Sequence, residues 1–218
     1  MQNSSPVVQQ PKQQKQPKIL GSFALYLLKK STNLLWIVID TLSYRSKKIA
    51  QIYNQSISKE YYAEYATLGI SKENRILHIG CGPYPLTEIS LAQQFGAKVI
   101  GIDKNPKTIQ MAKDIIKEKA LDSLVTIEHG NGIDYPMDGF DLIVISSCAF
   151  PKPEILENII HNAKKNCIIT IRELDIALAN VYCLLSKHKN IAILKKSHHN
   201  PAPFLLQIPW SSIAIKIT

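Results

Sequence analysis

A short apolar strand that runs directly into a glycine-rich turn constrains this chain more than any other segment. Residues 75–80 read RILHIG and predict a buried strand, which is followed at once by Cys81 and Gly82. Glycines in such a turn let the backbone bend sharply and approach a ligand more closely than a Cβ would allow. A helical pattern begins near residue 85, so the free N–H groups of a helix N-terminus would face the same ligand. The turn therefore predicts a ligand site at the carboxyl end of a strand.

Short apolar strands alternate with helical segments along the rest of the chain. The predicted strands cover residues 75–80, 98–103, 125–130, 140–146, 167–172, 191–196 and 212–217. The predicted helices between them cover residues 85–95, 106–120, 153–164 and 174–187. Because strands that alternate with helices form parallel sheets with right-handed crossovers, we expect an α/β fold.

The last two predicted strands have no helix between them. Residues 197–210 read SHHNPAPFLLQIPW, which is too polar and too rich in proline for a helix, so the two strands are expected to form an antiparallel hairpin. This order of elements resembles the class I methyltransferase fold. The resemblance implies a Rossmann-like, seven-stranded and mostly parallel sheet with a C-terminal antiparallel hairpin, preceded by N-terminal helices.

We expect three parts along the chain. Residues 1–18 contain six Gln, three Pro and three Lys and no apolar core region, which predicts a disordered basic tail and no secretory signal. Residues 19–55 predict an amphipathic helical extension, whose uncharged runs are shorter than the roughly 20 residues needed to cross a bilayer. Its apolar face could pack on the rest of the protein, cover an active site or lie on a membrane. Residues 56–218 are expected to form the catalytic domain.

The positive charge is concentrated near the N-terminus. The first 70 residues carry nine Lys or Arg against three acidic residues, in a chain of net charge +9. Such a region could contact an anionic membrane through residues 19–42, or be a solvated tail. Nucleic acid is not expected, because no basic patch is interleaved with aromatic residues. The four cysteines have neither CxxC nor zinc-ligand spacing, so we expect reduced thiols. Reduced thiols predict a cytoplasmic protein, and membrane association is one alternative.

The residues at the ends of the first four strands indicate the bound cofactor. Asp103 ends the second strand, 23 residues after Gly80, where a carboxylate can accept two hydrogen bonds from ribose hydroxyls. A full GxGxxG is absent, which disfavours a nicotinamide cofactor. In class I methyltransferases the turn after the third strand lies over an adenine. The cofactor expected from this resemblance is S-adenosylmethionine (SAM). Its predicted contacts are Gly80, Cys81, Gly82, Pro83, Asp103, Lys104, Asn131, Gly132 and Ser146.

The turn after the fourth strand excludes some chemistries. Residues 145–151 read ISSCAFP and lack the Asp/Asn-Pro-Pro-aromatic motif of enzymes that methylate base amino groups. They also lack the carboxylates that a metal-dependent O-methyltransferase needs, so no metal is expected.

Residues 80–87, GCGPYPLT, extend beyond a generic SAM turn. They resemble the GSGPLPLT-type turn of nicotianamine synthases, and residues 169–172 and 197–201 are similar to later segments of that family. The family shares the methyltransferase fold but transfers the aminocarboxypropyl group of SAM to an amine. The segment Val181-Tyr182-Cys183 departs from the family pattern. The resemblance therefore implies the cofactor more firmly than the reaction.

An amine acceptor must lose a proton, so a general base is expected. The helix before the first strand carries Tyr62 and Glu64, and this region holds functional acidic and tyrosine residues in the nicotianamine synthase family. Tyr61 and Tyr65 lie on its apolar stripe and are predicted core aromatics, whereas Tyr62 lies off that stripe and is the better functional candidate. Arg172 ends the fifth strand, where it could bind a substrate carboxylate or form an internal ion pair.

Three functions are consistent with these residues. The first is methyl transfer from SAM to a small-molecule acceptor. The second is aminocarboxypropyl transfer to an amine, as in nicotianamine synthases. The third is a catalytically silent module that binds a partner through its basic N-terminal arm.

Overall fold

The computed structural model describes residues 22–199 and 209–218, and the predicted tail at 1–18 lies outside them. Seven strands form one sheet, with the bounds β1 (Arg75–Ile79), β2 (Lys98–Asp103), β3 (Val125–His129), β4 (Leu142–Ile145), β5 (Ile168–Leu174), β6 (Ile191–His199) and β7 (Trp210–Ile217). Six α-helices accompany them, with the bounds α1 (Ser22–Arg45), α2 (Lys47–Ala66), α3 (Leu86–Phe95), α4 (Pro106–Glu118), α5 (Lys152–Asn162) and α6 (Leu178–Leu185).

The strand order is β3-β2-β1-β4-β5-β7-β6, and β1 to β5 are parallel. Strand β7 runs antiparallel to both β5 and β6, which confirms the predicted fold class with its C-terminal hairpin. The chain order reverses on either side of β1, which lies between β2 and β4. In open α/β sheets, ligands bind outside the carboxyl ends of the strands at such a switch point.

Each face of the sheet is covered by helices, because the strand residues are apolar on both faces. Ile76 and Val99 point to a core shared with α2, α3 and α4. Leu77 and Ile143 point to a second core shared with α5 and α6. Burial on both faces explains why these strands read as continuous apolar runs rather than as alternating patterns.

Helix α2 begins earlier than the sequence pattern predicts. Ser46 is its N-cap, with an Oγ that accepts a hydrogen bond from the Ile49 N–H at 3.5 Å. The buried stripe of the helix extends back to Ala50 and Tyr53, which keeps one helix continuous across the predicted boundary between residues 55 and 56.

The C-terminal edge differs from the predicted loop. His198 and His199 belong to β6, where they pair with Ser211 and Trp210 of β7. The His199 ring is buried and stacks on the Trp210 ring, with centroids 3.9 Å apart. The predicted connection at residues 197–210 therefore begins too early, because strand pairing continues to His199, the last described residue before position 200.

Candidate cofactor site and its helical roof

A cavity of about 300 Å³ lies at the carboxyl ends of β1, β2 and β4. Helices α1 and α2 form its roof through Trp36, Asp40, Tyr53 and Tyr61. Every predicted cofactor contact lines this one cavity, namely Gly80, Cys81, Gly82, Pro83, Asp103, Lys104, Asn131, Gly132 and Ser146.

The turn after β1 is fixed between its neighbours. The N–H groups of Gly80 and Cys81 both donate to the Ile102 carbonyl, at 2.8 and 3.1 Å. Gly80 has φ +86°, and a Cβ there would lie 3.1 Å from the Ser146 Cβ. Gly82 also has a positive φ of +70°, a region that side chains with a Cβ disfavour. The turn therefore leaves its backbone open to a close-lying cofactor, as the sequence predicts.

Asp103 stands at the edge of this turn. One carboxylate oxygen, Oδ2, accepts from the Gly82 N–H at 3.3 Å, and Oδ1 accepts from the Asn105 N–H at 2.9 Å. Each carboxylate oxygen can accept a second hydrogen bond, so the group remains able to bind two hydroxyls. This geometry fits the predicted ribose contact.

The turn after β3 packs closely against the floor of the cavity. A Cβ at Gly132 would lie 2.7 Å from the Ile79 Cγ2, so only glycine fits there. Asn158 of α5 holds the turn by donating to the Gly132 carbonyl at 3.0 Å. Asn131 uses its Oδ1 to accept from the Ile133 N–H at 3.3 Å. The side-chain NH₂ group and the second lone pair of Oδ1 remain available for a contact to an adenine edge.

Asp40 of α1 is a cavity residue that sequence reasoning did not select. Its carboxyl lies against the turn, since a Cβ on Gly82 would be 2.7 Å from Oδ2. Oδ1 is buried and has no hydrogen-bond partner among the described residues. Burial raises the pKa of Asp40 from 3.8 to about 8, although a hydrogen bond from Tyr53 acts in the opposite direction. The amino-acid composition could have drawn attention to Asp40, because it is the only acidic residue in the first 59 positions.

A buried pair supports the floor of the cavity. His78 Nδ1 and Glu88 Oε1 are 2.8 Å apart, and both side chains are buried. His78 also lines the cavity, and its Nε2 has no hydrogen-bond partner among residues 22–199 and 209–218. The imidazole of a cavity-lining residue therefore keeps one ring nitrogen that the described protein groups do not use.

Gly101→Ala is expected to destabilise the protein by about 1–3 kcal/mol, the usual cost of overpacking a core. The new Cβ would collide with Glu88 Oε1 and lie 3.0 Å from the Ile127 Cδ1. The measurement is the free energy of unfolding in urea. Gly69→Ala is the control, because a Cβ there would meet no atom within 4 Å and only the positive φ of +70° would be strained. Equal or greater stability of Gly101→Ala would contradict the packing described here.

Arg172 reaches the cavity from β5 but is bound on several sides by protein groups. Its Nη1 donates to the Thr87 hydroxyl at 2.8 Å, and its Nη2 donates to the Tyr65 hydroxyl. The guanidinium lies 3.9 Å from the centroid of the Tyr61 ring, and Nη2 is 3.6 Å from a Glu64 carboxylate oxygen. These contacts make Arg172 a buried positive charge that joins α2, α3 and β5.

The predicted catalytic residues divide into three outcomes. Arg172 lines the cavity. Glu64 is buried behind it without lining the cavity, and burial raises the pKa of Glu64 despite the nearby Arg172 charge. Tyr62 is not brought to the cavity. Its side chain is 53% exposed and stacks on the Phe95 ring at 5.5 Å, because its position on α2 points away from the sheet. Of the neighbouring residues Tyr61 and Tyr62, it is Tyr61 that lines the cavity. The apolar stripe of α2 predicted Tyr61 to be buried.

Removing the Arg172 charge should destabilise the folded protein. Arg172→Ala is expected to lower the free energy of unfolding by about 3–5 kcal/mol, since it leaves Glu64 as an uncompensated buried charge. Chemical denaturation checks this expectation. Arg75→Ala is a suitable control, because Arg75 lies at the exposed start of β1. A cost of less than about 1 kcal/mol for Arg172→Ala would mean that Glu64 is neutral or reaches water.

A second charge cluster attaches the roof to the sheet. Lys29 of α1 forms an ion pair with Glu173 of β5 at 2.7 Å, and both side chains are largely shielded. Lys152 is 3.6 Å from the same carboxylate and lies over the Phe150 ring. Burial lowers the pKa of Lys152 from 10.5 to about 8, although the Glu173 charge opposes this shift. The cluster positions α1 over the cavity.

The fold and this cavity define a class of protein, the class I SAM-dependent methyltransferases. A family model described as a methyltransferase domain matches residues 70–207, and the chain belongs to this family. SAM is its cofactor. No curated protein sequence matches the chain.

Solved structures resemble the chain in fold. A point mutant of MtNAS in complex with SAM is 20% identical, with a TM-score of 0.69 over 90% of this chain and 79% of that one. MtNAS in complex with MTA and tNA is 17% identical, with a TM-score of 0.68 over 90% and 76%. Precorrin-6y C5,15-methyltransferase from Geobacter metallireducens is 13% identical, with a TM-score of 0.57 over 72% and 86%.

The MtNAS structures cover more of this chain than the precorrin-6y methyltransferase does. Residues 56–218 make up about three quarters of the chain, so a match over 90% has to include part of α1 and α2. A match over 72% can be made without them. The MtNAS fold therefore shares at least part of the helical roof as well as the sheet.

Proposed function

We propose that this protein transfers a group from SAM to the amine of a small molecule, with Asp40 as the general base. The observation that carries the proposal is the buried Asp40 carboxyl against the Gly82 turn, with a pKa raised by burial to about 8. An alkylammonium ion must lose a proton before it can act as a nucleophile. A base whose pKa lies near the working pH removes that proton efficiently.

Each group around the cavity has a defined part in this proposal. Asp103 binds the ribose hydroxyls, the turn 80–83 takes the amino-acid part of the cofactor, and Asn131 faces the adenine. SAM supplies carbons made electrophilic by the adjacent sulfonium, so the protein contributes orientation and a shielded pocket. Asp40 accepts the proton of the acceptor ammonium on its Oδ1 and leaves a neutral amine with a free lone pair. Trp36 and Tyr61 exclude water from above.

Of the two groups that SAM can donate, we favour the aminocarboxypropyl group. The GCGPYPLT turn resembles the nicotianamine synthase turn, and MtNAS shares at least part of the helical roof. One of the MtNAS structures holds MTA, the nucleoside left when the aminocarboxypropyl group departs. Methyl transfer is the second candidate, and the family model supports it by its description. The two reactions differ only in which carbon of the cofactor faces the amine.

The experiment that tests the proposal is analysis of the nucleoside products. Purified protein is incubated with SAM and a pool of amino acids and polyamines, and the products are read by mass spectrometry. Methylthioadenosine with an acceptor enlarged by an aminocarboxypropyl group supports the favoured reaction. S-adenosylhomocysteine with a methylated acceptor supports methyl transfer. Protein that binds SAM in calorimetry but forms neither nucleoside with any amine would contradict the proposal and favour the silent module.

A further inference from the structure

The outward face of α1 carries large apolar side chains where a surface helix usually carries polar ones. Six of them are exposed, and Leu34 is exposed by 63%. We call this surface the α1 outer face, and its members are Tyr26, Leu27, Leu34, Ile37, Val38 and Leu42. At 100° per residue they cover less than half of the helix circumference, so they share one side of the helix.

Four polar residues of α1 lie on the side opposite to the α1 outer face, namely Lys29, Thr32, Asp40 and Ser43. Thr32 and Ser43 are buried, Asp40 points into the cavity, and Lys29 pairs with Glu173. These four residues make internal contacts, together with apolar residues such as Leu25 and Ile39, whereas the described parts of the chain leave the α1 outer face uncovered. Several hundred Å² of contiguous apolar surface on a single protein chain marks an interaction site.

The charges around the α1 outer face select one kind of partner. Lys30 lies within the stripe, and Arg45, Lys47 and Lys48 follow at its end, all exposed. The sequence before α1 adds three lysines within residues 12–18, and no acidic residue precedes Asp40. An apolar stripe flanked by basic residues is the pattern of helices that lie in the surface of an anionic membrane.

A second copy of the chain is a less suitable partner. A two-fold interface would bring the same basic residues of two chains together, and like charges facing each other oppose association. A membrane with anionic lipids offers the opposite charge along with an apolar layer. No described helix is long and apolar enough to cross a bilayer, so the contact would be made at the surface.

We propose that the α1 outer face docks on an anionic lipid surface and brings the mouth of the SAM cavity to that surface. Ile37 connects the two, because it belongs to the stripe and also lines the cavity. Trp36, its neighbour on α1, lines the cavity as well. The acceptor would then enter beside the lipid headgroups. This docking does not depend on which group the protein transfers.

The test is flotation of the full chain with vesicles of phosphatidylcholine and phosphatidylserine, whose anionic headgroups give a negative surface potential, and with pure phosphatidylcholine vesicles. The wild type is expected to float with the anionic vesicles and to dissociate as salt rises. Leu27→Ser/Leu34→Ser is expected to lower the partition coefficient by about tenfold or more, since it removes two exposed apolar side chains that docking would bury in the lipid. Lys30→Glu should weaken binding to the anionic vesicles only.

Ile193→Ser/Leu194→Ser is the matched control, because these edge-strand side chains are similarly exposed at 50% and 47% but lie on β6. Calorimetric SAM binding confirms that each variant is folded, and it separates this proposal from that of the transferase. Wild-type protein that ignores both kinds of vesicle would overturn the docking. Equal losses of vesicle binding in the two double variants would also overturn it. The same holds for a wild-type dimer that binds no vesicles and that Leu27→Ser/Leu34→Ser converts to a monomer.

Discussion

Asp40→Asn is expected to lower kcat by about 100-fold or more while SAM still binds, because it removes the base without changing the shape of the side chain. General bases contribute about 10²–10⁴-fold to such rates. Single-turnover kinetics with the amine acceptor, together with calorimetry for SAM, measure the two effects separately. Asp138→Asn, an exposed acid outside the cavity, serves as the control.

The pH dependence gives an independent check on Asp40. Because its pKa is raised to about 8, kcat/KM of the wild type should rise with pH and level off above about 8, whereas Asp40→Asn should lose this rise. The folded state holds the Asp40 proton more tightly than the unfolded chain, so this group makes the wild type less stable as pH rises from about 4 to about 8. The Tm of Asp40→Asn minus that of the wild type should therefore increase over that pH range. A pH-independent difference would mean that Asp40 is ionised and solvated.

Asp103→Ala is expected to weaken SAM binding by about 100-fold or more. Two hydrogen bonds from ribose hydroxyls to a carboxylate are worth about 1.5–3 kcal/mol each, and both are lost. The dissociation constant by calorimetry is the measurement. Tm is needed as well, since Asp103 also accepts from the Gly82 and Asn105 N–H groups.

Two comparison variants sharpen this result. Asp103→Asn keeps the side-chain shape and should lose less affinity than Asp103→Ala. Asp122→Ala, an exposed acid after α4, should bind SAM as the wild type does. Wild-type affinity in a folded Asp103→Ala protein would show that the ribose is bound elsewhere in the cavity.

The parts of the site that sequence reasoning predicted share a physical basis. Gly80, Gly82 and Asp103 lie at the ends of neighbouring strands, and their roles follow from local backbone geometry. A strand, a glycine turn and a helix form a unit within about 30 residues, and parallel pairing then brings the end of β2 beside the end of β1. Hydrophobic periodicity was enough to predict the strands, the helices between them and the edge hairpin.

Residues whose roles depend on distant contacts were not predicted. The sequence favours Tyr62 over Tyr61 as a functional residue because Tyr62 lies off the apolar stripe. In the structure the inward side of α2 faces the cavity, so a residue on the apolar stripe, such as Tyr61, can line the site. The sequence places His199 in the predicted connection at 197–210, but it belongs to β6 and is enclosed by Trp210 and Glu60 across the sheet edge. Burial lowers the pKa of His199 to about 3, so its imidazole is neutral.

The amino-acid sequence by itself determined the order of strands and helices, the turn at Gly80–Gly82 and the carboxylate of Asp103, because each depends on residues close along the chain or on strand pairing. Only the tertiary structure decided where α1 lies and hence that Asp40 enters the cavity. The placement of α1 rests on contacts such as Lys29 with Glu173, which are 144 residues apart. Periodicity shows which side of a helix is apolar, but it does not indicate what either side will meet.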